Sequence, residues 1–300
     1  MVQDASQIAQ GAQQAVAPAP IKVKAEPSVL AVKSKSALVG ALYFLASMGI
    51  LLTLWIVLQK SFAHDLPTPA ATFTALQALL ANPYFIKPDG TMGVINLVYA
   101  SLVRVFIGFG IGSLIAIPLG VMMGSSDIAK RLIDPVSQVM RPVSPLAWFP
   151  LAQVMFLTLG QGAMPAAIIG TIAITCLWPT LVNTAVGVAS LPQDYAIVAR
   201  VFQFSKTRYL TKVLLPYSLP HIVTGLRLSM GIAWLVIVAA EMLSGASGIG
   251  FSAFDAYNQG RMDDMMATII VIGAVGLVLD KGFDWIQRKL SYEDAPGQVV

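Results

Sequence analysis

Residues 37–58 read ALVGALYFLASMGILLTLWIVL, 22 positions without one charged side chain. An apolar run of about 20 residues matches the hydrocarbon thickness of a bilayer. Inside that medium a backbone must satisfy its own hydrogen bonds, so the run has to be a helix or a strand of a closed barrel. Five further runs follow, at about residues 95–123, 136–159, 164–188, 217–243 and 265–286. Apolar runs of about this length mean transmembrane helices. The chain is 56% apolar and 11% charged, against about 25% charged in an ordinary soluble domain. The expected fold class is an all-α polytopic membrane protein with six transmembrane helices.

Several function classes drop out on residue content. No Walker pattern, HExxH or GxSxG motif is present. The one cysteine, Cys176, excludes a disulfide within the chain. His64 and His221 lie too far apart in sequence to suggest a metal site, so none is expected. Residues 1–36, rich in Ala, Gln, Pro and Ser, read as a disordered tail, and no cleavage signal follows the first run. Residues 37–60 are the first span, and residues 61–94 form a polar segment in which ATFTALQALLAN suits a short surface helix. Gly108, Gly110, Gly112 and Gly120 suit close helix contact in the second span, where Pro118 predicts a kink. The third run is interrupted by Pro142, Pro145 and Pro150, a pattern tolerated at membrane depth only beside protein or a cavity. Residues 244–264 read as a loop, with GASGIG a flexible turn.

Lysines and arginines orient the chain. The N-terminal tail, the 124–135 turn, the 190–216 segment and the C-terminal end together carry thirteen, whereas Lys60, Lys87 and Arg261 are the three on the opposite side. Positive-inside then places both termini and the 190–216 segment in the cytoplasm. The three remaining arginines, Arg104, Arg141 and Arg227, fall in or near spans, together with Glu241 and Asp280. An ionisable residue at that depth costs roughly 2.5–3.5 kcal/mol on insertion scales, so it faces protein or water. Two readings stay open: a cationic route for an anion, or structural ion pairing and snorkelling. Asn183, near Trp178 in the fourth span, either touches a ligand or joins helices.

The segment SLPQDYAIVARVFQFSKTRYLTKVLLP, residues 190–216, is too polar to cross a bilayer. Ser190 and Gln193 have capping-box spacing, and Pro192 suits a first helical turn. Tyr195, Val198, Ala199 and Phe202 fall at i, i+3, i+4 and i+7, one apolar stripe. Ser205 caps a second helix that Pro216 should stop. Such a basic, amphipathic unit suits either a partner's groove or its own bundle.

At this segment and beyond, the chain resembles the inner-membrane permeases of ATP-binding-cassette importers. The family's cytoplasmic signature is Glu-Ala-Ala, three residues, Gly, nine residues, Ile, one residue, Leu-Pro. Here that register gives Ile197, Val198, Ala199, Gln203, Val213, Leu215 and Pro216, with the acid and the glycine replaced. RPVSPLAWFPL, SLPQDYAIVAR, TGLRLSMGIAWLVIVAAEML, GIGFSAFDAYN and GLVLDKGFDWIQRKL are similar to the branch handling nitrate, sulfonate, taurine and bicarbonate, with nitrate permeases the best match. The resemblance implies a type I importer permease core over residues 95–290, with coupling helices at about 191–215 and residues 291–300 as a cytoplasmic tail. It implies a homodimer in the bacterial inner membrane, two cytoplasmic ATPase subunits and a periplasmic or lipid-anchored substrate-binding protein. ATP and Mg would sit on the partner subunits, this chain binding no cofactor and no nucleic acid. The residues matched to ATPase coupling are Gln193, Asp194, Tyr195, Val198, Ala199, Arg200 and Phe202. Arg104, Arg141, Asn183 and Arg227 are the pathway candidates. The competing classes are a gradient-driven secondary transporter, which needs midplane acids or an inverted repeat, and a membrane scaffold.

Overall fold

The computed structural model describes residues 29–61, 65–87 and 91–290. The chain divides into two compact units, residues 1–58 and 59–300. The first contains most of α1 (Val29–Ser61), whose apolar part is Val39–Ser61. Helix therefore begins inside the tail expected over residues 1–36, because no glycine or proline interrupts VLAVKSKSALV and propagation adds a hydrogen bond for each residue fixed. Residues 1–28 and 291–300, where the two tails were otherwise expected, lie outside the described residues.

The second unit is a helical bundle. Thr68 caps α2 (Pro69–Ala81), accepting from the Ala71 amide at 3.2 Å. The spanning helices are α3 (Val94–Ser125), α6 (Ala163–Ala189), α9 (Leu215–Ser244) and α11 (Met262–Leu290). Between α3 and α6 the expected third span is broken into α4 (Asp127–Met140) and α5 (Pro145–Phe156), which meet at 102°. Pro142 and Pro145 supply no N–H at the joint, so one continuous helix is not available there. The basic turn expected at residues 124–135 is instead mostly the first half of α4, capped by Ser126. With the bent pair counted as one span, the described residues hold six apolar spans.

The α3–α6 pair forms the centre of the unit. Gly108, Gly112, Gly120 and Gly124 recur on one face of α3 with Ala116, which is fully buried. A Cβ at Gly112 would lie 2.5 Å from the Ala173 carbonyl oxygen, and one at Gly120 2.6 Å from that of Leu181. Four-residue spacing of small residues lets two helix backbones approach where lipid gives no hydrophobic drive for association. Gly110 faces open space and takes no part. Pro118 lies inside α3, which nevertheless continues to Ser125. The core joins Val105 of α3 with Ile168, Ile172 and Cys176 of α6 and Met230, Ala233 and Ile237 of α9.

Two expected boundaries are corrected. The second helix of the 190–216 segment does not stop at Pro216. Ser205 caps α8 (Lys206–Tyr209), which passes through a π turn, Leu210–Leu214, into α9. The Leu215 amide bonds back five residues to the Leu210 carbonyl, and the widened turn accommodates a proline that has no N–H to give. The loop expected at residues 244–264 contains α10 (Ile249–Asn258).

Candidate functional site

α7 (Gln193–Val201) is the short helix between α6 and α8. Its start differs from the capping box expected at Ser190. The Ser190 amide closes α6 on Val186 at 3.0 Å, and its hydroxyl donates to the Gly187 carbonyl at 2.9 Å. Ser190 thus ends one helix instead of starting the next, and Pro192 caps α7 without a side-chain bond. Gln193, Asp194 and Arg200 are exposed. So are Tyr195, Val198 and Phe202, the last at 70%. Ala199 is 5% exposed and turns toward the chain's own bundle. The outward apolar surface is therefore Tyr195, Ile197, Val198, Val201 and Phe202. The heptad-like stripe missed Ile197 and Val201 because a nine-residue helix buries only a narrow inner edge.

The end of α7 explains the glycine of the signature. Gln203 has φ +50°. The Phe204 amide bonds the Ala199 carbonyl at 2.9 Å and the Gln203 amide bonds Arg200 at 2.9 Å. That pair of bonds is a Schellman close, whose left-handed residue is ordinarily glycine. The chain keeps the geometry with a glutamine in the glycine's place. Beside it, the Arg208 guanidinium stacks 4.7 Å from the Phe204 ring centre, and Tyr195 packs on Tyr217 at 5.9 Å.

The membrane-level charges separate into three environments. Glu241 on α9 is fully buried and pairs with Arg104 of α3 at 2.8 Å. Its carboxylate also accepts from the Ser101 hydroxyl at 2.8 Å and from the Gly250 amide at 3.0 Å, while Arg104 donates to the Ser247 carbonyl at 2.8 Å. The GASGIG turn wraps this carboxylate and places it at the N-terminal end of α10, where backbone N–H groups favour an anion. A Cβ on Gly248 would overlap the Glu241 carboxylate. The turn is thus a packed structural element, in place of the flexible one expected.

Arg227 of α9 is held by α11. Its guanidinium takes both oxygens of Asp280, at 2.9 and 3.1 Å, and Asp284 at 2.9 Å. Arg141, at the α4–α5 joint, is exposed and its guanidinium has no carboxylate partner among the described residues. It lines a cavity of about 360 Å³ with Asn183 and Trp178 of α6 and Leu228 of α9. Of the four pathway candidates, Arg141 and Asn183 are thus brought together, and Arg104 and Arg227 are separately engaged in ion pairs. Trp178 carries no charge to mark it, so only its place five residues before Asn183 hinted at a role. A larger cavity, about 460 Å³, lies between α2 and α10, where Arg261 is already paired with Asp264 at 2.7 Å.

A bundle with one broken span and a polar helix pair joined directly to a spanning helix is the fold of a type I ABC-importer permease. The model of the family described as "Binding-protein-dependent transport system inner membrane component" matches residues 116–292, and the chain belongs to that family. It is 43% identical over 259 residues to the bicarbonate transport system permease protein CmpB of Synechococcus elongatus, covering 85% of this chain and 91% of that one. It is 40% identical over 235 residues to the nitrate import permease protein NrtB of a Synechocystis strain, covering 78% and 84%. Among solved structures, the inward-facing MetNI methionine ABC transporter superposes with a TM-score of 0.60 at 14% identity, over 66% of this chain and 95% of that one, a likeness of fold. The chain is a multi-pass membrane permease of the ABC-importer family.

Proposed function

We propose that this chain conducts a small oxyanion, nitrate by preference, through an ATP-driven importer in which two copies line one pathway. The observation that carries the reading is α7. Five apolar side chains stand exposed on a short helix at the lysine- and arginine-rich side of a membrane bundle. Apolar residues on a polar loop are stabilised when a partner's groove covers them. ATP and Mg belong to two cytoplasmic subunits that dock there, and a periplasmic binding protein delivers the ion. Both termini lie in the cytoplasm on this reading. ATP binding favours one arrangement of the docked pair, and α7 passes that preference to the bundle because α8, the π turn and α9 are one helix path.

The test is uptake in proteoliposomes holding the permease with its ATPase subunits and binding protein. Tyr195→Asp and Phe202→Asp are expected to lower ATP-driven nitrate uptake by about tenfold or more, since a buried charge at such a contact costs several kcal/mol. Both side chains are exposed, so the permease should still fold, as size-exclusion profiles in detergent would verify. Normal uptake by both variants overturns the docking assignment. Bicarbonate is the second reading for the ion, favoured by the 43% identity to a bicarbonate permease. Labelled nitrate and labelled bicarbonate offered to the same vesicles, each with the binding protein that captures it, decide between them.

A further inference from the structure

The mid-span cavity has a charge balance that the rest of the membrane region lacks. Arg104 is neutralised by Glu241 and Arg227 by Asp280 and Asp284. Arg141 alone of these three has no carboxylate partner among the described residues, and no acidic residue lines the cavity it enters. Thr175 lies near the middle of α6 and Leu228 near the middle of α9, so the cavity sits about halfway through the bundle. An exposed, unpaired arginine at this level is too costly against lipid, so this surface faces water or a second subunit. The indole Nε1 of Trp178, which also lines the cavity, is a buried donor with no acceptor among the described residues. A buried donor of this kind is ordinarily satisfied. Asn183 uses one N–H on the Pro179 carbonyl at 2.8 Å and keeps the other.

The geometry points to this cavity as a holding site for one monovalent oxyanion during transit, with Arg141 supplying the single charge and Trp178 and Asn183 neutral N–H donors. The proposal deepens the permease reading and rests on it. One cation with neutral donors balances one negative charge. A divalent ion keeps an uncompensated charge and a desolvation cost that grows with the square of its charge. The walls contributed by Leu228, Ile232 and Trp148 are apolar, which strengthens the few polar contacts present. The site therefore selects nitrate or bicarbonate over the divalent sulfate or carbonate ion by charge, in addition to any selection by a binding protein.

The experiment uses the complete complex in proteoliposomes and reads ions moved per ATP hydrolysed. Arg141→Gln is expected to lower that ratio about tenfold, equivalent to one lost contact to an ion. Arg141→Lys should retain most of it. Trp178→Phe keeps the ring and deletes the N–H, and should lower the ratio about threefold. ATPase rate and assembly should not change, which separates an ion-binding role from a structural one. Wild-type ratios in both Arg141→Gln and Trp178→Phe overturn the proposal. If Arg141→Gln does not assemble, Asn183→Asp decides: it sets a carboxylate beside Arg141 at equal size, is expected to suppress uptake more strongly than Trp178→Phe, and overturns the site if it transports normally. A wild-type complex that moves neither nitrate nor bicarbonate removes the permease reading, and the site falls with it.

Discussion

Glu241 is a carboxylate with no solvent exposure and three separate donors, from Ser101, Arg104 and the Gly250 amide. Removing one partner of such a buried pair costs about 3–5 kcal/mol, more than the pair itself contributes, because the remaining charge is left uncompensated. Arg104→Met should therefore lower the melting temperature of the purified permease more than Arg104→Met combined with Glu241→Gln, and equal losses would argue against a tight pair. Neither residue's role was legible from its own neighbourhood. Both were visible as charges at membrane depth, but they lie 137 positions apart, and nothing in a pattern of spacing says which acid an arginine will find. The same limit hid Trp178, whose significance lies in an unsatisfied atom and not in its residue type.

At the scale of elements, α7 is held by a turn that asks for glycine and has Gln203. A non-glycine residue in the left-handed region costs of order 1 kcal/mol. Gln203→Gly should slow hydrogen exchange of the Phe204 amide, which closes the turn, and raise stability by roughly that amount, less the extra freedom glycine has when unfolded. Slower exchange in Gln203→Val than in wild type would contradict this account, since β-branching makes that region less accessible still. The Ser205 cap in the 190–216 segment was readable because local hydrogen-bonding chemistry sets it. The Ser190 cap was misread because one serine can serve the helix before it or the helix after it, and packing chose the former. The continuation through Pro216 was hidden because a proline stops an α-helix but not one that has already widened to a π turn. α10 escaped notice because glycines at its start are also the signature of a loop.

For the whole molecule, apolar length was enough to find the spans, since the bilayer imposes that rule on any chain. Sidedness can be checked directly. Cys176 is buried and should stay silent toward a membrane-impermeant maleimide. Arg261→Cys should be labelled in intact cells and Lys206→Cys only after lysis, and the reverse pattern would invert the proposed orientation. The unbroken path Lys206–Ser244 runs 39 residues from the 190–216 segment to the Glu241 clasp, passing the cavity at Leu228 and Ile232. At 1.5 Å per residue the distance from Arg208 to Leu228 is roughly 30 Å. A stiff rod pivoted at its clasped end behaves as a lever. Swinging its foot by about 5° carries points along the shaft sideways by an ångström or more, in proportion to their distance from the pivot. The anion's compartment would then widen or narrow by mechanical advantage alone, with the π turn between foot and shaft setting how much of the stroke arrives.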